Sequence, residues 1–159
     1  MEILYDVYKE IVDRIPDQMP ETGGILGGHR GVITKVIFDE GIKDNVQRCH
    51  YIPNVCMLNE CLAIWLEQEI EFYGLFHTHF FGVSSLSQGD IAYIKRILLA
   101  MPEEKKRLYF PIVVFPDKKI VSYRCSLDGE KLVVQDDFIS IINHVEDITQ
   151  IFRMMEEKT

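Results

Sequence analysis

The stretch Gly74-Leu75-Phe76-His77-Thr78-His79, followed after a loop by Ser87-Gln88-Gly89-Asp90, decides how this chain is read. From Phe72 to Thr78 the sequence is apolar and aromatic, with Gly74 inside it, and it follows a polar helical stretch; a mostly buried strand has this pattern. Side chains two apart on a strand share a face, so His77 and His79 point the same way near its C-terminal end. The next helix opens at Ser87. Ser87-Gln88-Gly89-Asp90 resembles a capping box with Asp in place of Glu, and Ile91, Ile94, Lys95 and Leu98 recur at helical spacing. Asp90 is thereby fixed in the first helical turn. A fold-back of the seven-residue loop Phe80 to Leu86 brings it close to the end of the strand.

Two imidazoles on one strand face suit zinc, which takes nitrogen ligands at about 2.0–2.1 Å, and Asp90 supplies a third ligand. Three protein ligands leave one tetrahedral position open, as in catalytic sites; a structural site is normally closed by four. Taken singly, each residue has a plainer explanation: a strand histidine in a satisfied core, or a helix cap worth about 1 kcal/mol at Ser87. Together they point to a metal, because a buried pair of imidazoles beside a carboxylate is costly without one or without a hydrogen-bond network.

His77-x-His79, seven residues, then Ser87-x-x-Asp90 resembles the signature of the JAMM (MPN+, Mov34/PAD-1) metalloprotease family. The segment Glu21-Thr22-Gly23-Gly24-Ile25-Leu26-Gly27-Gly28 resembles that family's Glu-x-Gly-Gly-x-Leu-x-Gly, and the likeness spans about residues 18 to 125. It implies that His77, His79 and Asp90 bind Zn²⁺, that Ser87 helps stabilise the oxyanion, and that Glu21 is the general acid/base. It also implies the MPN/JAMM fold, cytidine-deaminase-like: one α/β domain whose central mixed, mostly antiparallel sheet is flanked by helices. Thr78 stands where the family often has Ser, and Phe80 where many members have Pro. Neither is a ligand position, so these departures bear on substrate contacts more than on zinc.

The whole chain, 159 residues with 47% apolar content, has the size of a single domain. Its net charge of -8 opposes nucleic-acid binding, since no basic patch is available to displace phosphate counterions, and opposes an acidic partner equally. Charges at Glu2, Asp6, Lys9 and Glu10 break any signal-peptide core, and no apolar run reaches eighteen residues, so the expectation is a cytoplasmic protein without membrane contact. Cys49, Cys56, Cys61 and Cys125 form no C-x-x-C pair and are read as packing residues; Cys49 beside His50 lacks a third group to make a cysteine hydrolase.

Along the chain, Ile3, Leu4, Val7, Ile11 and Val12 predict an opening helix that Pro16 and Asp17 end. Gly24 to Gly28 and Val32 to Phe38 predict a hairpin turning at Gly31, and Arg48 to Ile52 a short strand. Asn54 or Asn59 opens a helix carrying Leu62, Trp65 and Leu66, with Trp65 in the core. Phe80 and Phe81 either tuck under their loop or form the hydrophobic wall of a groove that receives an extended peptide. Leu108 to Phe115 and Lys119 to Ser126 are β-rich runs joined by the turn Pro116-Asp117-Lys118, and Lys131 to Gln135 is a last strand. From about 136 to 157, Phe138, Ile141, Ile142, Val145, Ile148, Ile151, Phe152 and Met155 predict an amphipathic helix, whose length leaves a homodimer or partner interface open.

The H-E-x-x-H of zincins and the H-x-E with P-C-x-x-C of zinc deaminases are absent, and the acidic charge argues against a DNA-repair relative. The resemblance therefore implies a zinc isopeptidase or peptidase, cleaving after the C-terminal Gly-Gly of a ubiquitin-like protein. The rival is a non-catalytic MPN-type scaffold that binds partners; such members have usually lost ligands, whereas Glu21, His77, His79, Ser87 and Asp90 are all present.

Overall fold

A computed structural model describes residues 1–42 and 50–143 of the chain, apart from the side chain of Glu104. Within these residues, nine strands form one sheet. The strands are β1 (Glu2–Leu4), β2 (Gly23–His29), β3 (Val32–Asp39), β4 (Glu71–His79), β5 (Arg107–Tyr109), β6 (Ile112–Val114), β7 (Lys119–Asp128), β8 (Lys131–Asp137) and β9 (Ser140–Ile142). The helices are α1 (Tyr5–Arg14), α2 (Val55–Glu67) and α3 (Gln88–Ala100), with a short 3₁₀ turn at Glu103–Lys105.

At the centre lies β4. It runs antiparallel to β2 on one side, and on the other it is parallel to β5 and β6, two halves of one interrupted strand. The two halves break at Phe110 and Pro111, where proline has no N–H to give to a ladder. Beyond them β7 and β8 follow antiparallel; on the far side β2 pairs with β3, then β1 and β9 add in parallel. The sheet is mixed and mostly antiparallel by register, as the family resemblance implies.

Both faces are covered, and strand alternation decides what goes where. Leu26 and Phe76 point into a core capped by Val7 and Ile11 of α1, whereas their neighbours Ile25 and Leu75 point into a core with Leu58 and Trp65 of α2 and Ile94 and Leu98 of α3. The period of two sends His77 and His79 to the same face as Leu75, the face on which α3 begins. Gly74 permits the close strand packing at this point, since a Cβ there would lie 1.9 Å from the Tyr109 carbonyl oxygen.

Four expectations change. The opening segment is a strand before it is a helix: Glu2 and Ile3 pair with Val32 and Ile33, and only Tyr5 onward is helical. Residues 50–52 form no strand, while Arg48 and Cys49 lie outside the described residues. The run Leu108 to Phe115 is divided by Pro111. The C-terminal helix does not start near 136, because β8 continues to Asp137 and Ser140–Ile142 pair in parallel with Glu2–Leu4. Phe138, Ile141 and Ile142 fit a helical period, but adding a strand beside β1 completes that side's backbone hydrogen bonds and buries Ile142 against Val32 and Leu4. The rest of that predicted helix, with His144, lies outside the described residues.

Candidate metal centre

The loop after β4 returns as predicted. Ser87 caps α3 by accepting from the Asp90 N–H at 3.1 Å, and Asp90 Oδ2 accepts from the Ser87 N–H at 2.7 Å. This reciprocal box locks the Asp90 carboxylate in the first turn. Oδ1 then lies 3.4 Å from His77 Nε2, and Oδ2 lies 3.5 Å from His79 Nε2. The two Nε2 atoms are 2.7 Å apart, with their rings nearly perpendicular. One ligand atom each from Glu21, His77 and His79 falls within 4.8 Å of the other two. His77 and His79 are buried, and Ser87 lines the same cleft of about 970 Å³.

This donor set fits a zinc ion. The Val83 carbonyl lies 3.2 Å from His79 Nδ1 and accepts its hydrogen, which turns Nε2 towards the cluster. His77 Nδ1 is buried with no partner among the described residues, and His77 Nε2 lies 2.7 Å from His79 Nε2, close enough for the two to share one hydrogen. Two imidazoles held together by one shared hydrogen, beside two carboxylates, form a pair that a cation can replace directly. His77, His79 and Asp90 would hold the ion, with Glu21 adjacent.

The electrostatics agree with this arrangement. Burial disfavours the charged form of Asp90, but hydrogen bonds from His77, His79 and the Ser87 N–H outweigh it and hold the carboxyl well below the usual range. Burial likewise pulls His79 towards neutrality, and the hydrogen bond to Asp90 together with the charge of Glu21 raises its pKa above the ordinary 6.5.

Two supporting residues escape a sequence reading. Asp39, buried at the end of β3, accepts from the Tyr51 hydroxyl and the Asn54 N–H, both at 2.8 Å, and from the Gly41 N–H at 2.9 Å. Tyr51 in turn donates its backbone N–H to Glu21 Oε2 at 3.2 Å and stacks its ring beside His77 at 6.4 Å. Burial, with the Asp39 carboxylate second, raises the Tyr51 pKa far above its normal value, so the phenol stays protonated and keeps donating. Gly23 makes room for that ring, since a Cβ there would sit 2.7 Å from it. Asp39 lies in a charged stretch with no motif, and only the tertiary structure reveals it. Asn54, one of two candidates for the cap of α2, is the cap: its side chain accepts from the Met57 N–H at 3.3 Å.

The two loop phenylalanines separate. Phe80 stacks on Phe115 at 5.1 Å, and Phe81 is 84% exposed on the wall of the metal cleft. Cys125 is buried in the core as a packing residue, which pushes its thiol up to about 12; Cys56 is exposed and Cys61 half-buried.

No protein-family model matches the sequence, and no curated protein is significantly similar to it. Solved structures are similar in fold. A protein of Desulfitobacterium hafniense superposes with a TM-score of 0.64 at 18% identity, covering 92% of this chain and 95% of its own. A JAB1/MPN domain protein of Archaeoglobus fulgidus gives 0.52 at 15% identity over 90% of this chain and all of its own. A structure described as JAMM, a metalloprotease-like zinc site in the proteasome and signalosome, gives 0.51 at 16% identity over 90% and 98%. The chain has an MPN/JAMM-type fold.

Proposed function

We propose that this protein is a zinc-dependent hydrolase of amide bonds, and that its substrate is the peptide or isopeptide bond after the C-terminal Gly-Gly of a ubiquitin-like protein. The observation that carries the reading is the convergence of His77 Nε2, His79 Nε2 and a Glu21 oxygen within 4.8 Å of one another, with Asp90 reaching both imidazoles. When bound, zinc supplies a Lewis acid that polarises a carbonyl and makes water a nucleophile near neutral pH. Glu21, steadied by the Tyr51 N–H, takes the proton from that water and returns it to the departing amine. Ser87 stabilises the developing oxyanion. Its capping bond uses a lone pair of the hydroxyl and not its hydrogen, so the O–H remains free to donate.

A Gly-Gly tail suits the site because a chain without side chains can approach a metal set between the loop at 50–54 and the turn after β4. Among the described residues β4 offers it no free edge there, since β4 pairs on both sides, with β2 and with β6. No helix among the described residues is long and apolar enough to cross a membrane.

The test is cleavage of fusions in which a ubiquitin-like domain ends in Gly-Gly before a reporter, linked through an α-amine or a lysine side chain. Metal-loaded wild type is expected to release the reporter after the second glycine, and chelator to abolish release. Stoichiometric metal binding with no cleavage of either linkage would favour the non-catalytic scaffold.

A further inference from the structure

Phe80 to Val83 make a tight turn, closed by the Val83 N–H to the Phe80 carbonyl at 3.2 Å. Its central residues Phe81 and Gly82 both have positive φ, 58° and 72°. Such turns favour Asn, Asp and Gly at the first central position, and a bulky aromatic there is strained. The turn is held from outside: the Gly82 N–H donates to the Phe115 carbonyl at 2.9 Å, Phe80 stacks on Phe115, and the Val83 carbonyl accepts from His79. None of these bonds uses the Phe81 ring. Its ring contact is Phe80 at 6.5 Å, and it is 84% exposed. The fold therefore tolerates strain at Phe81 and gains no burial from it. Strained residues of this kind gather where function requires a side chain in a fixed place.

That place is the metal cleft, whose wall Phe81 forms together with Met19 and Val83, both also exposed. We infer that Phe81 is a specificity-determining residue, which takes an apolar side chain of the polypeptide substrate close to the scissile bond. The inference rests on the amide-hydrolase reading and adds to it a preference: the segment leading into Gly-Gly carries an apolar residue facing this wall. The turn's hydrogen bonds fix the backbone at Phe81, so little backbone ordering is lost on binding.

The experiment compares wild type with Phe81→Gly and Phe81→Asn, which remove the ring and suit the turn's backbone. Each is assayed on two Gly-Gly-terminated fusions that differ by leucine or serine at one upstream position, scanned over the three residues before Gly-Gly. At one position the wild type is expected to favour leucine by about tenfold or more, as one apolar contact allows. Both variants are expected to lose that preference, mainly through KM, while keeping zinc stoichiometry and an equal or higher Tm. Undiminished leucine preference in the variants overturns the inference and leaves the hydrolase reading standing. A clear fall in Tm also overturns it, because the ring would then serve the fold. Absence of any cleavage by metal-loaded wild type removes both readings.

Discussion

The backbone N–H of Tyr51 donates to Glu21 Oε2 at 3.2 Å, and the hydroxyl of the same residue is tied to buried Asp39 at 2.8 Å. Glu21 precedes β2, and its neighbour Thr22 is tied to the sheet, its N–H donating to Thr78 Oγ1 at 2.9 Å. The segment around Tyr51 therefore sets where the proposed proton carrier sits.

Asp39→Ala leaves the Tyr51 hydroxyl and two backbone N–H groups without their acceptor. It should destabilise the protein by about 2–4 kcal/mol in denaturant titration. Tyr51→Phe removes one bond and should cost about 1 kcal/mol. In both variants turnover should fall while the zinc content of the folded fraction is unchanged, because neither Asp39 nor the Tyr51 hydroxyl bonds to a candidate ligand. Loss of zinc in Tyr51→Phe would show that the segment positions the metal site instead of Glu21.

Glu21→Gln keeps the size of the side chain and removes its basicity. Zinc stoichiometry should be retained and kcat should fall by about 10²–10⁴-fold, the range for a general acid/base. Residual turnover near the wild-type rate in metal-loaded protein would take Glu21 out of that role.

Ser87→Ala deletes both the cap of α3 and the hydroxyl donor. A stability loss of about 1 kcal/mol and a fall in kcat of about 10²-fold are expected, with Ser87→Thr recovering most of both. Loss of stability alone would confine Ser87 to capping.

The raised pKa of His79 gives zinc uptake a definite pH dependence. Without metal, the proton on His79 is stabilised by folding, so its contribution is complete below the ordinary 6.5 and is lost as pH rises through the folded value. The depressed Asp90 carboxyl acts oppositely: its contribution is present above 3.8 and is lost as pH falls through the folded value. Zinc must displace the His79 proton, so its affinity should weaken by about tenfold per pH unit below the folded pKa. The rise in Tm on adding zinc should therefore grow between about pH 5 and pH 8. A pH-independent rise would mean that the ion binds elsewhere.

How much of this was legible in the sequence depended on whether a residue's role is local. The strand face shared by His77 and His79 and the box of Ser87 with Asp90 follow from periods of two and three, so these side chains could be brought to one end of β4 without a structure. Glu21 was found only through its resemblance to a family segment, since nothing in its own neighbourhood predicts a partner across the sheet. Asp39 and Tyr51 carried no pattern, and no short-range rule pairs two residues twelve apart. Ile141 and Ile142 fitted two periods at once, and the choice went to a strand because β1 offered an unpaired edge. Phe81 was a two-way reading that the turn resolved, separating it from Phe80.

The most direct test of the central claim is the metal content of the purified protein, measured by plasma mass spectrometry alongside Asp90→Ala prepared identically. The site predicts about one zinc per chain in the wild type, with most of it lost in the variant. A wild type that carries no metal and takes up none from added zinc would contradict the metal centre, and with it the hydrolase.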